Sequence, residues 1–85
     1  MVMTTNPVKQ LREKLGLTQR EFALRLGISV GALGHLERGE VLRLSDRTAQ
    51  ALGQLTGEEP ETWRMRWKRY RERLLRDAQQ SWRRS

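Results

Sequence analysis

Two short helical segments separated by a tight turn occupy residues 17–39, and they constrain the fold of this 85-residue chain most strongly. Apolar residues recur at helical spacing up to Leu26, and Gly27 then interrupts the pattern. Ser29 is a favourable N-cap for a second helix, and Gly39 supplies the left-handed residue that commonly ends one. The pattern predicts helices over residues 18–26 and 30–37, joined by a Gly-containing turn.

The same start and stop signals predict three further helices. They lie between Asn6-Pro7 and Gly16, between Ser45 and Gly57, and between Pro60 and residue 82. The last would be about 34 Å long at 1.5 Å per residue. Because no stretch alternates apolar and polar residues over the length of a strand, the sequence predicts an all-α domain of five helices. Residues 1–5 and 83–85 are expected to be disordered ends.

The net charge of +7 is unevenly distributed along the chain. Residues 1–59 hold 8 basic and 7 acidic residues, a net charge of +1, whereas residues 60–85 hold 9 basic and 3 acidic residues, a net charge of +6. Such a balance favours polyanionic partners, either nucleic acid or anionic lipid. The absence of cysteine excludes disulfides and thiolate metal sites. With no apolar run near the 18 or so residues of a membrane span, we expect a soluble intracellular protein without a membrane partner.

The motifs from Val8 to Gly57 resemble those of Cro-type, or XRE, helix-turn-helix regulators, also called lambda-repressor-like domains. The matching segments are LREKLGLTQREFALRLG, then IS, then LxxLERG, then ALGQLTG. The resemblance implies a DNA-binding domain over residues 6–57, whose second short helix enters the major groove. Residues 58–82 would add a basic amphipathic helix that packs on the core, dimerises, or does both. The implied function is a transcriptional regulator, a repressor, that binds an operator in double-stranded DNA as a homodimer. A bacterial or phage-like origin and a cytoplasmic, nucleoid-associated location follow from the same resemblance.

By position, the resemblance also implies individual contact residues. The base-reading positions are Val30, Gly31, Ala32 and His35. The DNA-backbone contacts are Thr18, Gln19, Ser29, Arg38 and Arg43. Arg12 and Glu37 form a structural ion pair. Family members commonly carry Gln, Arg, Asn or Ser at the base-reading positions, but here only His35 offers hydrogen bonds. Two interpretations stay open: close backbone approach with readout of DNA shape, or a helix that has lost strong base readout.

An apolar stripe runs along the predicted fifth helix at spacings of four and three residues. It consists of Trp63, Trp67, Tyr70, Leu74, Ala78 and Trp82. The stripe could complete the core, form a dimer interface, or lie on a membrane surface. We expect Trp63 and Trp67 near the core, and Tyr70, Leu74 and Trp82 at the interface with a partner. The arginines on the other faces either follow DNA phosphates or form a solvated basic surface.

The sequence contains no nucleophile–base arrangement, phosphate loop or metal-ligand cluster, which predicts that the protein is not an enzyme and needs no cofactor or metal. A looser similarity to helix-turn-helix antitoxins, in which a Trp-bearing helix follows the DNA-binding unit, leaves a second hypothesis. An antitoxin would bind a toxin as well as its own operator. A third hypothesis is an interaction module that uses the C-terminal helix to bind a protein partner.

Overall fold

The computed structural model describes the backbone of residues 4–84 and the side chains of residues 4–80. Five α-helices follow one another: α1 (Pro7–Leu15), α2 (Gln19–Leu26), α3 (Val30–Glu37), α4 (Asp46–Thr56) and α5 (Pro60–Arg84). The described residues contain no strand, so the predicted all-α fold with a long C-terminal helix is confirmed. Two helix bounds differ from the prediction: α2 begins at Gln19, with Thr18 as its N-cap, and α5 continues to Arg84, two residues past its predicted end. None of the described helices is long and apolar enough to cross a membrane.

Local capping explains why these helices begin and end where they do. The side-chain oxygens of Asn6, Thr18, Ser29 and Ser45 accept hydrogen bonds from backbone N–H groups in the first turns of α1 to α4. Left-handed glycines end three of these helices, at Gly16, Gly27 and Gly57. Because each cap satisfies backbone groups that the helix itself leaves unpaired, short helices of eight or nine residues are held at defined ends.

The core collects side chains from all five helices. Its fully buried members include Val8, Phe22, Leu26, Leu33, Leu52 and Trp67. Trp63 and Trp67 are both buried, as expected from the stripe on α5. Their indole N–H groups are satisfied: Trp63 Nε1 donates to Thr56 Oγ1 at 3.0 Å and Trp67 Nε1 to the Val41 carbonyl at 2.9 Å. The first two turns of α5 therefore belong to the core of the domain.

Tyr70 corrects one expectation from the sequence, since it was assigned to a partner interface. It is only 7% exposed, its ring centroid lies 5.1 Å from that of Trp67, and its hydroxyl accepts a hydrogen bond from Asn6 Nδ2 at 3.2 Å. The ring fills space inside the domain and leaves almost no surface for a second molecule. Leu74 is partly buried against the same core, and the side chain of Trp82 lies outside the described residues.

The segment before α1 is also tied to α5. Of the five residues predicted to be disordered, residues 1–3 lie outside the described part of the chain. Thr4 donates a hydrogen bond to Asp77 on α5. Asn6 reaches further, because its Nδ2 also donates to the Leu36 carbonyl at 2.8 Å. A single buried amide thus caps α1 and links it to α3 and α5.

The turn after α3 is where α5 packs on the helix-turn-helix unit. Gly39 has a φ of +73°, a conformation that L side chains rarely adopt. A Cβ placed on it would lie 2.6 Å from Tyr70 Oη and 2.7 Å from Leu74 Cδ2. Arg71 donates a hydrogen bond to the Gly39 carbonyl. This position requires glycine both for its backbone angle and for the close approach of α5.

Gly39→Ala should therefore destabilise the protein by about 3 kcal/mol, the sum of left-handed backbone strain and overpacking against α5. Gly57→Ala is the matched control, because its φ of +74° is the same but nothing lies within 4 Å of the added Cβ. We expect only the strain there, about 1 kcal/mol. Urea unfolding of both variants measures the difference, and equal losses would show that α5 does not press on this turn.

Glu58 and Arg66 form an ion pair that ties the turn before α5 to its second turn. Arg66 Nη1 and Nη2 donate to the two Glu58 oxygens at 3.1 and 2.7 Å, and its guanidinium lies 4.5 Å from the Trp63 ring centroid. The hydrogen bonds from Arg66 hold the pKa of the Glu58 carboxyl below its usual range. A depressed folded-state pKa contributes stability above the unfolded value of about 4.3, and this stability is lost as the pH falls through the folded value.

Glu58→Gln should accordingly lower the free energy of unfolding at pH 7 and lose this effect progressively below about pH 4.3. Urea titrations from pH 3 to 7 measure the difference between wild type and variant. Glu59→Gln is the control, because no ion pair to Glu59 occurs among the described residues. A wild-type advantage over Glu58→Gln that did not change with pH would contradict the prediction.

Candidate DNA-binding interface

The N-terminus of α2 carries a capping box formed by Thr18 and Glu21. Glu21 N donates to Thr18 Oγ1 at 3.1 Å, and Thr18 N donates to Glu21 Oε1 at 2.9 Å. Hydrogen bonds from Thr18 to the Glu21 carboxylate, first that of the Thr18 backbone N–H and then that of its side chain, lower the pKa of this carboxyl. The Thr18 side chain is thus an N-cap in the free protein. The first-turn N–H groups of Gln19 and Arg20, which have no intrahelical partner, remain the groups that could hold a phosphate.

Arg12 and Glu37 are joined by the ion pair that the family resemblance implies. Arg12 Nε donates to Glu37 Oε2 at 2.6 Å and Nη2 donates to Oε1 at 3.1 Å. The Glu37 side chain is only 4% exposed, and its hydrogen bonds raise the pKa of the Arg12 guanidinium further above its ordinary value. Arg12 Nη1 also donates to the Leu17 carbonyl at 3.0 Å. The pair links α1, the turn before α2 and the end of α3.

Gln19 belongs to this cluster in the free protein. Its Nε2 donates to Glu37 Oε1 at 3.1 Å, although its position predicts a contact with the DNA backbone. The second N–H of this amide is a further donor that a phosphate could accept from.

The outward face of α3 is nearly bare of hydrogen-bonding side chains. Leu33 and Leu36 point into the core, while Val30, Gly31 and His35 are exposed and Ala32 is half-buried. These four are the positions predicted to read bases. His35 alone among them carries a polar side chain, so the surface that would enter a groove is shallow and mostly apolar.

His35 is itself engaged by Glu40, a residue that the sequence analysis did not single out. His35 Nδ1 lies 2.7 Å from Glu40 Oε1, and Arg38 Nε donates to the same oxygen at 3.2 Å. Arg38 Nη2 lies 3.2 Å from His35 Nδ1; because that nitrogen cannot donate to Glu40 and accept from Arg38 together, Glu40 is the shared acceptor. The contacts, with His35 first, lower the pKa of the Glu40 carboxyl. The sequence signal that could have identified Glu40 is the presence of an acidic residue two positions after Arg38.

The other predicted backbone contacts surround α3 without forming one cluster. Ser29 is exposed and its Oγ accepts from Ala32 N at 3.0 Å, so it caps α3. Arg43 is exposed in the segment between α3 and α4, and no hydrogen bond to it is found within the described residues. Arg47, which was not predicted as a contact, donates from Nη1 to the Gly27 carbonyl in the turn between α2 and α3 at 3.3 Å.

Comparison with known proteins agrees with this geometry. A helix-turn-helix family model matches residues 8–63, more than half of the chain. The chain belongs to the XRE-type helix-turn-helix family. Its members are DNA-binding transcription regulators rather than enzymes. The match takes in α1 to α4 and ends near the start of α5, and comparisons with curated proteins and with solved structures give no match.

The Arg12–Glu37 pair should be energetically coupled, because removing either side leaves a largely buried charged group without its partner. We expect Glu37→Gln to cost about 2 kcal/mol and a double-mutant cycle with Arg12→Met to give a coupling of about 1 to 3 kcal/mol. Urea unfolding of the two single variants and the double variant measures this. Strictly additive losses would mean that the two residues stabilise the fold independently.

Proposed function

We propose that the protein binds an operator sequence-specifically as a homodimer and represses transcription from the promoter that it occupies. The observation that carries the proposal is the exposed outward face of α3. This helix begins at its N-cap Ser29, directly after the glycine cap of α2, and lies within the residues that the helix-turn-helix family model matches. Such a helix-turn-helix unit presents α3 to the major groove. Occupation of the operator by this unit would be sufficient to block a promoter. The protein, of bacterial or phage-like origin, would then act in the cytoplasm, where it binds DNA.

The prediction for sequence specificity is a large difference in affinity between two duplexes. A duplex that contains the promoter of the protein's own gene should bind at least about a thousandfold more tightly than a random duplex of equal length and composition, as is usual for specific DNA-binding proteins. Competition of the two duplexes for the same protein at a fixed salt concentration measures this ratio. Equal affinities would refute binding to its own promoter.

Dimerisation is supported by the second half of α5. Leu75 is 55% exposed on this helix and follows the partly buried Leu74, so a second copy has an apolar surface to cover. Trp82, predicted for the same interface, extends the proposal by two helical turns. Two DNA-binding units are needed to hold half-sites about 34 Å apart.

The charge of α5 sets a condition on such a dimer. Residues 60–85 carry a net charge of +6 in each copy, so two of these segments repel each other at low ionic strength. Salt screens this repulsion and should strengthen the dimer. Salt should at the same time weaken DNA binding, because binding releases cations from the phosphates and a higher salt concentration opposes that release. Opposite responses to salt therefore distinguish the two associations.

Leu75→Asp should convert the dimer into monomers without unfolding the domain, because this side chain is mostly exposed. Leu24→Asp is the matched control: the residue is 77% exposed, lies on α2, and undergoes the same change of charge. Light scattering between about 0.1 and 0.5 M salt, a range over which screening shortens markedly, measures the mass of each variant. An unchanged dimer mass for Leu75→Asp would refute the interface.

The antitoxin hypothesis rests on the same second half of α5, which lies beyond the residues that the family model matches. An antitoxin would use this segment to hold a toxin encoded next to it. Co-expression of the two adjacent genes should then yield a stoichiometric complex that Leu75→Asp disrupts and Leu24→Asp does not. If instead the partner were encoded elsewhere, the chain would be an interaction module.

A further inference from the structure

The side chain of Arg38 folds back along the outward face of α3. A Cβ placed on Gly34 would lie 3.2 Å from Arg38 Nη1 and 3.9 Å from its Cζ. Gly34 is buried, and the atoms nearest to the position of its missing Cβ belong to this guanidinium. Side chains on a helix lean towards its N-terminus, so a residue just after α3 can reach the preceding turn if nothing projects there.

Two glycines leave the outward face of α3 open in this way. Gly31 lies one turn before Gly34, and a Cβ on it would meet only Ser29 Oγ, at 3.9 Å. Each glycine lowers helix propensity relative to alanine, and the helix accepts two of them on one face. Their common effect is a strip without side chains, with the Arg38 guanidinium lying at its C-terminal end.

Glu40 fixes the orientation of this guanidinium. Its carboxylate accepts from Arg38 Nε at 3.2 Å and is itself held by His35 at 2.7 Å. With Nε bound to Glu40, the donors left for a base are those on Nη1, which lies against Gly34, and on Nη2, which lies 3.2 Å from His35 Nδ1. The Arg38 side chain is nevertheless 58% exposed, so these donors are accessible to DNA. Two parallel donors match guanine O6 and N7 in the major groove.

We propose that Arg38 reads a guanine in each half-site, with Gly34 as the surface on which it lies and Glu40 as the residue that positions it. This role differs from the phosphate contact expected from its place in the sequence, and it rests on the proposed sequence-directed binding. It supplies the hydrogen-bonding side chain that the four predicted base-reading positions lack. Glu40 also makes the cluster selective, because its charge disfavours close approach of phosphates.

Selection of bound sequences from a random duplex library, followed by affinity measurements, tests the role of Arg38. Arg38→Lys keeps the positive charge but not the paired donors. We expect it to lose a guanine preference of at least tenfold at one position of each half-site, while the slope of log K against log salt changes by less than about one unit. Identical selected sequences for wild type and Arg38→Lys would overturn the inference and leave the proposed function intact. A wild type without any preference would overturn both.

The roles of Gly34 and Glu40 are tested in the same assay with matched variants. Gly34→Ala should shift the guanidinium by a few tenths of an ångström and weaken the guanine preference measurably, whereas Gly31→Ala should retain it at that position. Circular dichroism and non-specific DNA binding verify that both variants fold. If Gly34→Ala and Gly31→Ala changed the guanine preference equally, Gly34 would not be the surface on which Arg38 lies.

Glu40→Gln separates positioning of Arg38 from simple repulsion of DNA. Loss of the guanine preference is expected if the carboxylate orients the guanidinium. A rise in affinity for all sequences with the guanine preference unchanged would overturn the positioning role, since removal of a repelling charge acts on every duplex alike.

Discussion

The end of α3 is held by three contacts, two from α1 and its N-cap and one from α5, and these contacts fix how the three helices pack together. Asn6 donates to the Leu36 carbonyl from the start of α1. Arg12, also on α1, pairs with Glu37 of α3. Arg71 of α5 donates to the carbonyl of Gly39. Two of these contacts reach backbone carbonyls at the C-terminal end of α3, where a helix lacks intrahelical donors, and the third reaches the side chain of its last residue. A helix of eight residues has little intrinsic stability, so its position is set by these neighbours.

The DNA-binding unit and the excess positive charge lie on different parts of the molecule. The helix-turn-helix unit supplies a rigid α3 with a shallow outward face and almost no net charge over residues 1–59. The hydrogen-bonding groups nearest to that face are concentrated at its C-terminal end, in His35, Arg38 and Glu40. Most of the net positive charge lies in residues 60–85, which include α5; the first half of this helix packs into the core and its second half is mostly exposed.

Most of the fold was predictable because its signals are local. Helix starts and ends follow from side-chain caps and left-handed glycines within a few residues of each boundary, such as Thr18 with Glu21 and Gly27. The Arg12–Glu37 pair was predictable only through the family resemblance. The roles of Tyr70 and Gln19 were not, because each depends on a residue distant in sequence: Asn6 for Tyr70 and Glu37 for Gln19.

The sequence by itself determined the helices, the family and the unequal distribution of charge, since capping, periodicity and composition do not depend on distant contacts. Only the tertiary structure decided which side of the α5 stripe is core and which is surface. It also decided that Arg38 covers Gly34 and shares Glu40 with His35. The physical reason is that burial and hydrogen-bond partners depend on how helices pack, and a periodic pattern gives a face of a helix but not what covers that face.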